Sequence, residues 1–244
     1  MIGSEVHVWR ASLSGVEPVG VAADEVARGS HLRSPLARHR FLAGRSVLRA
    51  LLGWYSGVSA AALTFDLSPL GKPCLRDGSL RFSVSHAGDA FLCAIAFEHE
   101  VGVDVEDLSS LGDPRVVMDA ALSAREREWV GGLDDGVVRE AVLRCWVRKE
   151  AVSKGLGEGL NLPFGTVLSP CSLTASAARV PIEGRRKERW FVWDVPMPPG
   201  WVAAVAAPRR RIRIRVFDWF EEHGQAPGGL PGEPGSQARP GRCP

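Results

Sequence analysis

Two short runs concentrate the acid–base chemistry of this chain. They are Gly102-Val103-Asp104-Val105-Glu106 and Trp146-Val147-Arg148-Lys149-Glu150-Ala151-Val152-Ser153-Lys154-Gly155. In the first, Val101, Val103 and Val105 alternate with Gly102, Asp104 and Glu106, the period of a half-buried strand. Residues two apart in a strand share a face, so Asp104 and Glu106 project together, about 6.6–7 Å apart along the backbone. In the second, Trp146, Glu150 and Lys154 recur every four residues and share one face of a helix. Strand packed on helix would let three carboxylates converge on one hard cation, with a lysine one turn from the third. Oxygen-only ligands favour Mg²⁺, and a lysine beside it points to a phosphate-rich substrate.

The elements that must position these groups are readable from period and punctuation. Glu5 to Leu13 reads as an opening strand. Pro35 starts an amphipathic helix through Leu52 that carries Arg38, Arg40, Arg45 and Arg49. Gly71-Lys72-Pro73 is a turn. Leu80–Ser85 and Ala90–Phe97 read as a hairpin around Ala87-Gly88-Asp89. Asp113-Pro114 marks a helix start, and Ser123-Ala124-Arg125-Glu126 fits a capping box. Glu140 to Gly155 is the long helix of the second run, closed by Gly155 and Gly157. Strands are expected at Ser172–Ala177, Trp190–Val195, Trp201–Ala206 and Ile212–Phe217. The expected division is 1–99, 100–218 and a Gly/Pro-rich tail over 219–244, too poor in large apolar residues to order itself.

Composition excludes several classes. No apolar run is long enough to span a bilayer, and no basic region followed by an apolar stretch opens the chain. The five cysteines are odd in number and scattered without a C-x-x-C pair, against a zinc site or disulfide framework. A cytoplasmic protein is expected. A net charge of +2 gives no bulk attraction to nucleic acid. The only lysines are Lys72, Lys149, Lys154 and Lys187, and three of them fall in the chemical segments. A lysine is a compact point charge suited to a crowded metal–phosphate centre. No P-loop and no nucleophile elbow is present. Ser85-His86, ending a strand, is a further phosphate-contact candidate.

The order of motifs is Gly71-Lys72-Pro73, Phe82-Ser83-Val84-Ser85-His86, Gly102-x-Asp104-x-Glu106, then Trp146-x-x-Lys149-Glu150-Ala151-x-x-Lys154-Gly155. This order resembles the 4′-phosphopantetheinyl transferase superfamily, in its monomeric Sfp-type branch, over about Leu36 to Phe217. The resemblance implies an α/β (α+β) fold of two similar subdomains related by a pseudo-twofold, each a long helix on a small, mainly antiparallel sheet. It implies Mg²⁺ and coenzyme A between them. The implied reaction moves the phosphopantetheine arm onto a serine of an apo acyl- or peptidyl-carrier protein, in polyketide or nonribosomal peptide biosynthesis, and releases 3′,5′-ADP. By the same resemblance, Asp104, Glu106 and Glu150 are the metal ligands, Glu150 and Lys154 the catalytic pair. Arg45, Lys72, Pro73, Ser85, His86 and Lys149 are the coenzyme A contacts, with Arg45 and His86 on its 3′-phosphate. The expected partners are transient carrier proteins, with neither nucleic acid nor membrane. A magnesium-dependent nucleotide-diphosphate hydrolase and a non-catalytic carrier-binding module are the alternatives that these residues leave open.

Overall fold

A computed structural model describes residues 5–185 and 187–219. In chain order the elements are β1 (Glu5–Ser12), α1 (Ala23–Ser30), α2 (Pro35–Ser56), β2 (Phe65–Leu67), β3 (Pro73–Leu75), β4 (Arg81–Ala87), β5 (Ala90–Ala96) and β6 (Gly102–Asp107). There follow α3 (Pro114–Ala121), α4 (Ala124–Gly131), α5 (Asp135–Leu156), β7 (Ala178–Val180), β8 (Trp190–Asp194), β9 (Trp201–Ala207) and β10 (Arg213–Asp218). Two four-stranded sheets, ordered β10-β1-β5-β4 and β6-β9-β8-β7, form the centre. Alternation decides their packing. Val6, Val8, Leu92 and Ala94 of one sheet face Val103, Val105, Ala203 and Val205 of the other in a buried apolar layer. The opposite face of the first sheet buries Trp9, Phe82, Phe91 and Ile95 under Val47, Leu48 and Leu51 of α2. The opposite face of the second buries Val192, Val202 and Ala204 under Val147 and Ala151 of α5. The result is four layers, helix–sheet–sheet–helix.

Local signals account for the two long helices. The Ser34 side chain accepts the Ala37 N–H ahead of Pro35, and Gly57 ends α2 with φ 71°. Gly157, at φ 78°, ends α5 in the left-handed conformation that glycine adopts without cost. The capping box at Ser123 and Glu126 forms as the sequence suggests.

Four differences from the sequence reading have physical causes. The last strand among the described residues, β10, leaves the second half and pairs parallel with β1, Glu5 opposite Arg213 through Arg10 opposite Asp218. A division at residue 99 therefore does not separate the sheets. Trp219, expected in the tail, belongs to the fold: its N–H donates to the Arg10 carbonyl at 2.7 Å and its ring packs edge-on against Trp9. The rest of the expected tail lies outside the described residues. No strand forms at Ser172–Ala177, because side chains take up that backbone. Arg148 donates to the carbonyls of Pro170 and Ser172, and the Ala175 N–H donates to Asp194. Finally α1, β2 and β3 are too short for periodicity to have announced them. No helix among the described residues is long and apolar enough to cross a membrane.

Candidate active site

β4 and β6 are edge strands of different sheets, and they meet through serine side chains. Ser83 Oγ accepts the Val103 N–H at 3.2 Å, and two residues on Ser85 Oγ donates to Asp104 Oδ1 at 2.7 Å. Across this seam lies α5. Lys154 Nζ reaches Asp104 Oδ1 at 2.6 Å and Ser85 Oγ at 2.8 Å. One and two turns earlier on the same face, Glu150 is buried beside them and Trp146 Nε1 donates to Glu106 Oε1 at 3.2 Å. The sequence periods are thereby realised: one strand face and one helix face bring Asp104, Glu106, Glu150 and Lys154 together.

Close approach of α5 to β6 makes this possible. A Cβ on Gly102 would stand 1.8 Å from the Ala151 carbonyl oxygen and 2.4 Å from the Gly155 nitrogen. Only glycine lets the backbones touch there.

The acids perturb one another as they gather. Burial raises the Asp104 carboxyl above its ordinary range, opposed by Lys154 and Ser85. Burial, then the charge of Asp104, raises Glu106. Burial, then Asp104 and Glu106 against the opposing Lys154, pushes Glu150 up to about 7. Asp104 Oδ2 is buried and has no hydrogen-bond partner among the described residues. Among those residues no three acid, histidine or cysteine side chains are drawn together tightly enough to form a ligand set as they stand. An orphaned carboxylate oxygen and three mutually repelling acids nevertheless suit a hard divalent cation.

The remaining predicted contacts divide. Lys72 Nζ donates to Glu100 Oε2 (2.7 Å) and to the carbonyls of Gly155 (3.1 Å) and Val101 (3.2 Å), tying its turn to the end of α5. Lys72 and Pro73 line a cavity of about 220 Å³ together with Ser83, Lys154 and Gly157. His86, at the end of β4, is held below its usual pKa by partial desolvation and by the positive charges of Lys154 and Arg40. His86 is therefore a neutral ring on the same side as two cations, Lys154 and Arg40, a setting suited to phosphate.

Two assignments are corrected. Arg45 does not join His86; it pairs with Glu25, which also takes Arg49 Nε at 2.6 Å, and its guanidinium lies over the Phe65 ring. Its charge is spent holding α1 on α2. The arginine of α2 whose charge acts on His86 is Arg40, itself paired through Nε with Asp89 at 2.7 Å; periodicity does not say which of several arginines on one helix faces a neighbouring strand. Lys149, expected as a coenzyme contact, lies away from the cluster. It is fully buried, about 100° round α5 from Glu150, and paired with Glu126 at 2.6 Å.

Comparison with known proteins agrees with this geometry. Residues 100–206 match the family model of the 4′-phosphopantetheinyl transferase superfamily. The chain is 34% identical over 170 residues to the 4′-phosphopantetheinyl transferase HetI of Nostoc sp., covering 66% of this chain and 72% of that protein. It is 31% identical over 129 residues to the 4′-phosphopantetheinyl transferase AcpT of Escherichia coli O157:H7, covering 49% of this chain and 58% of that protein. It is 26% identical over 168 residues to the L-aminoadipate-semialdehyde dehydrogenase-phosphopantetheinyl transferase of Pongo abelii, covering 61% of this chain and 54% of that protein. The chain thus spans nearly three quarters of the first relative and just over half of the other two. With its acidic strand, its Trp-x-x-Lys-Glu-Ala helix and the match to HetI taken together, the chain belongs to the 4′-phosphopantetheinyl transferase superfamily.

Proposed function

We propose that this enzyme transfers the phosphopantetheine arm of coenzyme A to a serine of an apo acyl- or peptidyl-carrier protein and releases 3′,5′-ADP. Polyketide or nonribosomal peptide assembly in the cytoplasm is the setting proposed, with the enzyme acting as a monomer. The observation that carries the reading is the seam itself, where Lys154, Asp104 and Ser85 interlock beside Glu106 and Glu150.

Asp104, Glu106 and Glu150 would hold Mg²⁺, which when bound supplies positive charge to the coenzyme A pyrophosphate. The rest falls to the chain's own side chains. Phosphoryl-type transfer depends chiefly on positioning and charge neutralisation. Lys154 and Arg40 attract the phosphates, and the neutral His86 ring offers one N–H to them; Lys154 neutralises charge on the departing 3′,5′-ADP. A serine hydroxyl is a weak nucleophile and needs a base, and the Glu150 carboxylate takes its proton. The cavity beside Lys72 and Pro73 receives the nucleotide end.

Apo carrier proteins incubated with enzyme, coenzyme A and Mg²⁺ should each gain the mass of one phosphopantetheine by mass spectrometry. Release of ADP with no carrier present would instead mark a hydrolase. The two arginines separate cleanly. Arg40→Ala is expected to raise KM for coenzyme A about tenfold with little change in melting temperature, because its pair with Asp89 is partly exposed and contributes little stability. Arg45→Met should do the reverse, costing about 2 kcal/mol or more of stability by leaving buried Glu25 half-paired while KM stays within twofold.

A further inference from the structure

Arg148 and Lys149 directly precede Glu150, and neither is exposed at all. A buried cation needs its protons accepted. Lys149 uses its three N–H bonds on Glu126 Oε2 (2.6 Å), the Ala121 carbonyl and the Phe164 carbonyl (2.8 Å each). Glu126, 1% exposed, is itself held by the N–H groups of Ser123 (2.7 Å) and Ser169 (2.6 Å). Arg148 grips Asp194 with both arms, at 2.9 and 2.8 Å, and the carbonyls of Pro170 and Ser172.

Consecutive helix residues are turned by about 100°. Two saturated cations on adjacent bearings therefore fix the rotation of α5 about its axis, and the next bearing is that of Glu150. Gly102 fixes how closely α5 approaches β6, and the apolar face of Val147 and Ala151 packs on the sheet, but apolar contacts are less directional than saturated ion pairs. A buried ion pair gains little stability over an apolar pair of the same shape; its particular property is that one geometry satisfies it and others do not.

We infer that Lys149–Glu126, supported by Arg148–Asp194, are positioning pairs that set the rotation of α5 and so the direction in which Glu150 and Lys154 face Asp104. The kinetic part of this inference rests on the transferase reading. A spectroscopic readout does not. The chain has four lysines, so protein labelled with ¹³C at lysine Cε gives few signals, and that of Lys154 reports its pairing with Asp104. Lys154→Gln assigns it.

The neutral pair Glu126→Gln with Lys149→Met is expected to melt within a few degrees of the parent. Its Lys154 signal should move toward that of exposed Lys187, and kcat should fall at least tenfold while KM for coenzyme A moves less than threefold. Val142→Ala, buried on the same helix, should lower the melting temperature and move neither signal nor kcat. A folded neutral-pair variant with the parent's Lys154 signal and kcat overturns the inference. If that variant does not fold, Lys149→Arg and Lys149→Arg with Glu126→Asp decide. The shorter acid compensates the longer base, so the pair should recover most of the kcat and signal that the single variant loses; equal values in both overturn the inference. A parent that modifies no carrier overturns the transferase reading and leaves the Lys154 signal to decide this one.

Discussion

Glu150→Gln is expected to abolish transfer to a carrier protein, by at least about 10³-fold, and at the same time to make the metal-free protein more stable at pH 8. The loss follows from removing a metal ligand and the proton acceptor in one step, each of which supplies orders of magnitude. The gain follows from burial. Glu150 has its pKa raised from an ordinary 4.5 to about 7, first by desolvation and then by the charge of Asp104. A carboxyl raised in the folded state holds its proton longer there than in the unfolded chain. Stability of the metal-free parent is therefore full below about pH 4.5 and declines as pH rises to about 7, by on the order of 3 kcal/mol for this group. Asp104 and Glu106 are shifted the same way and add to the decline. Glutamine has no charge to bury, so the variant's advantage grows from pH 4.5, is complete above about pH 7 and vanishes below pH 4.5. Melting curves in chelator across that range check it. Added Mg²⁺ should raise the parent's melting temperature most at high pH, where the acids are ionised, and should help the variant less. A variant that melts no higher than the parent at pH 8 would show that Glu150 is not ionised against its surroundings.

Gly102→Ala is expected to be the most damaging single methyl in the chain. Its Cβ would lie 1.8 Å from the Ala151 oxygen and 2.4 Å from the Gly155 nitrogen, both backbone atoms in a buried helix. No rotamer change relieves such a contact, so β6 or α5 must move. The cost should exceed about 4 kcal/mol, a loss of roughly 10 °C or more in melting temperature. Any folded remainder should transfer poorly, because β6 carries Asp104 and Glu106 away from Glu150. Gly136→Ala, at the start of the same helix, meets nothing within 4 Å and should be neutral or slightly stabilising. Equal melting temperatures for the two variants would refute the close packing of α5 on β6.

How far the chain could be read depended on the range of each interaction. Alternation in Val101–Glu106 and the four-residue recurrence of Trp146, Glu150 and Lys154 are local, and the structure places these faces as the periods require. The helix ends at Pro35, Ser123 and Gly157 are also local, since a helix start or cap is set within a few residues. Arg45, Lys149 and Ser172–Ala177 were misread because their partners are distant in sequence. Glu25 captures Arg45, Glu126 captures Lys149, and Arg148 with Asp194 captures the backbone expected to form a strand.

By itself, then, the sequence determined which residue types share a face, the positions of the main helices and of most strands, and which acids and lysine gather at the seam. Those follow from periods of two and 3.6 residues and from capping chemistry, all short in range. Only the tertiary structure decided which cations stand partly exposed at the seam and which are consumed in the interior. It paired Arg45 with Glu25 and left the charge of Arg40 acting on His86, buried Lys149 against Glu126, and returned β10 to lie beside β1. The physical reason is the same in each case. A charge or a strand edge must be satisfied by whatever group folding brings to it, and that group is chosen by packing between segments far apart in the chain.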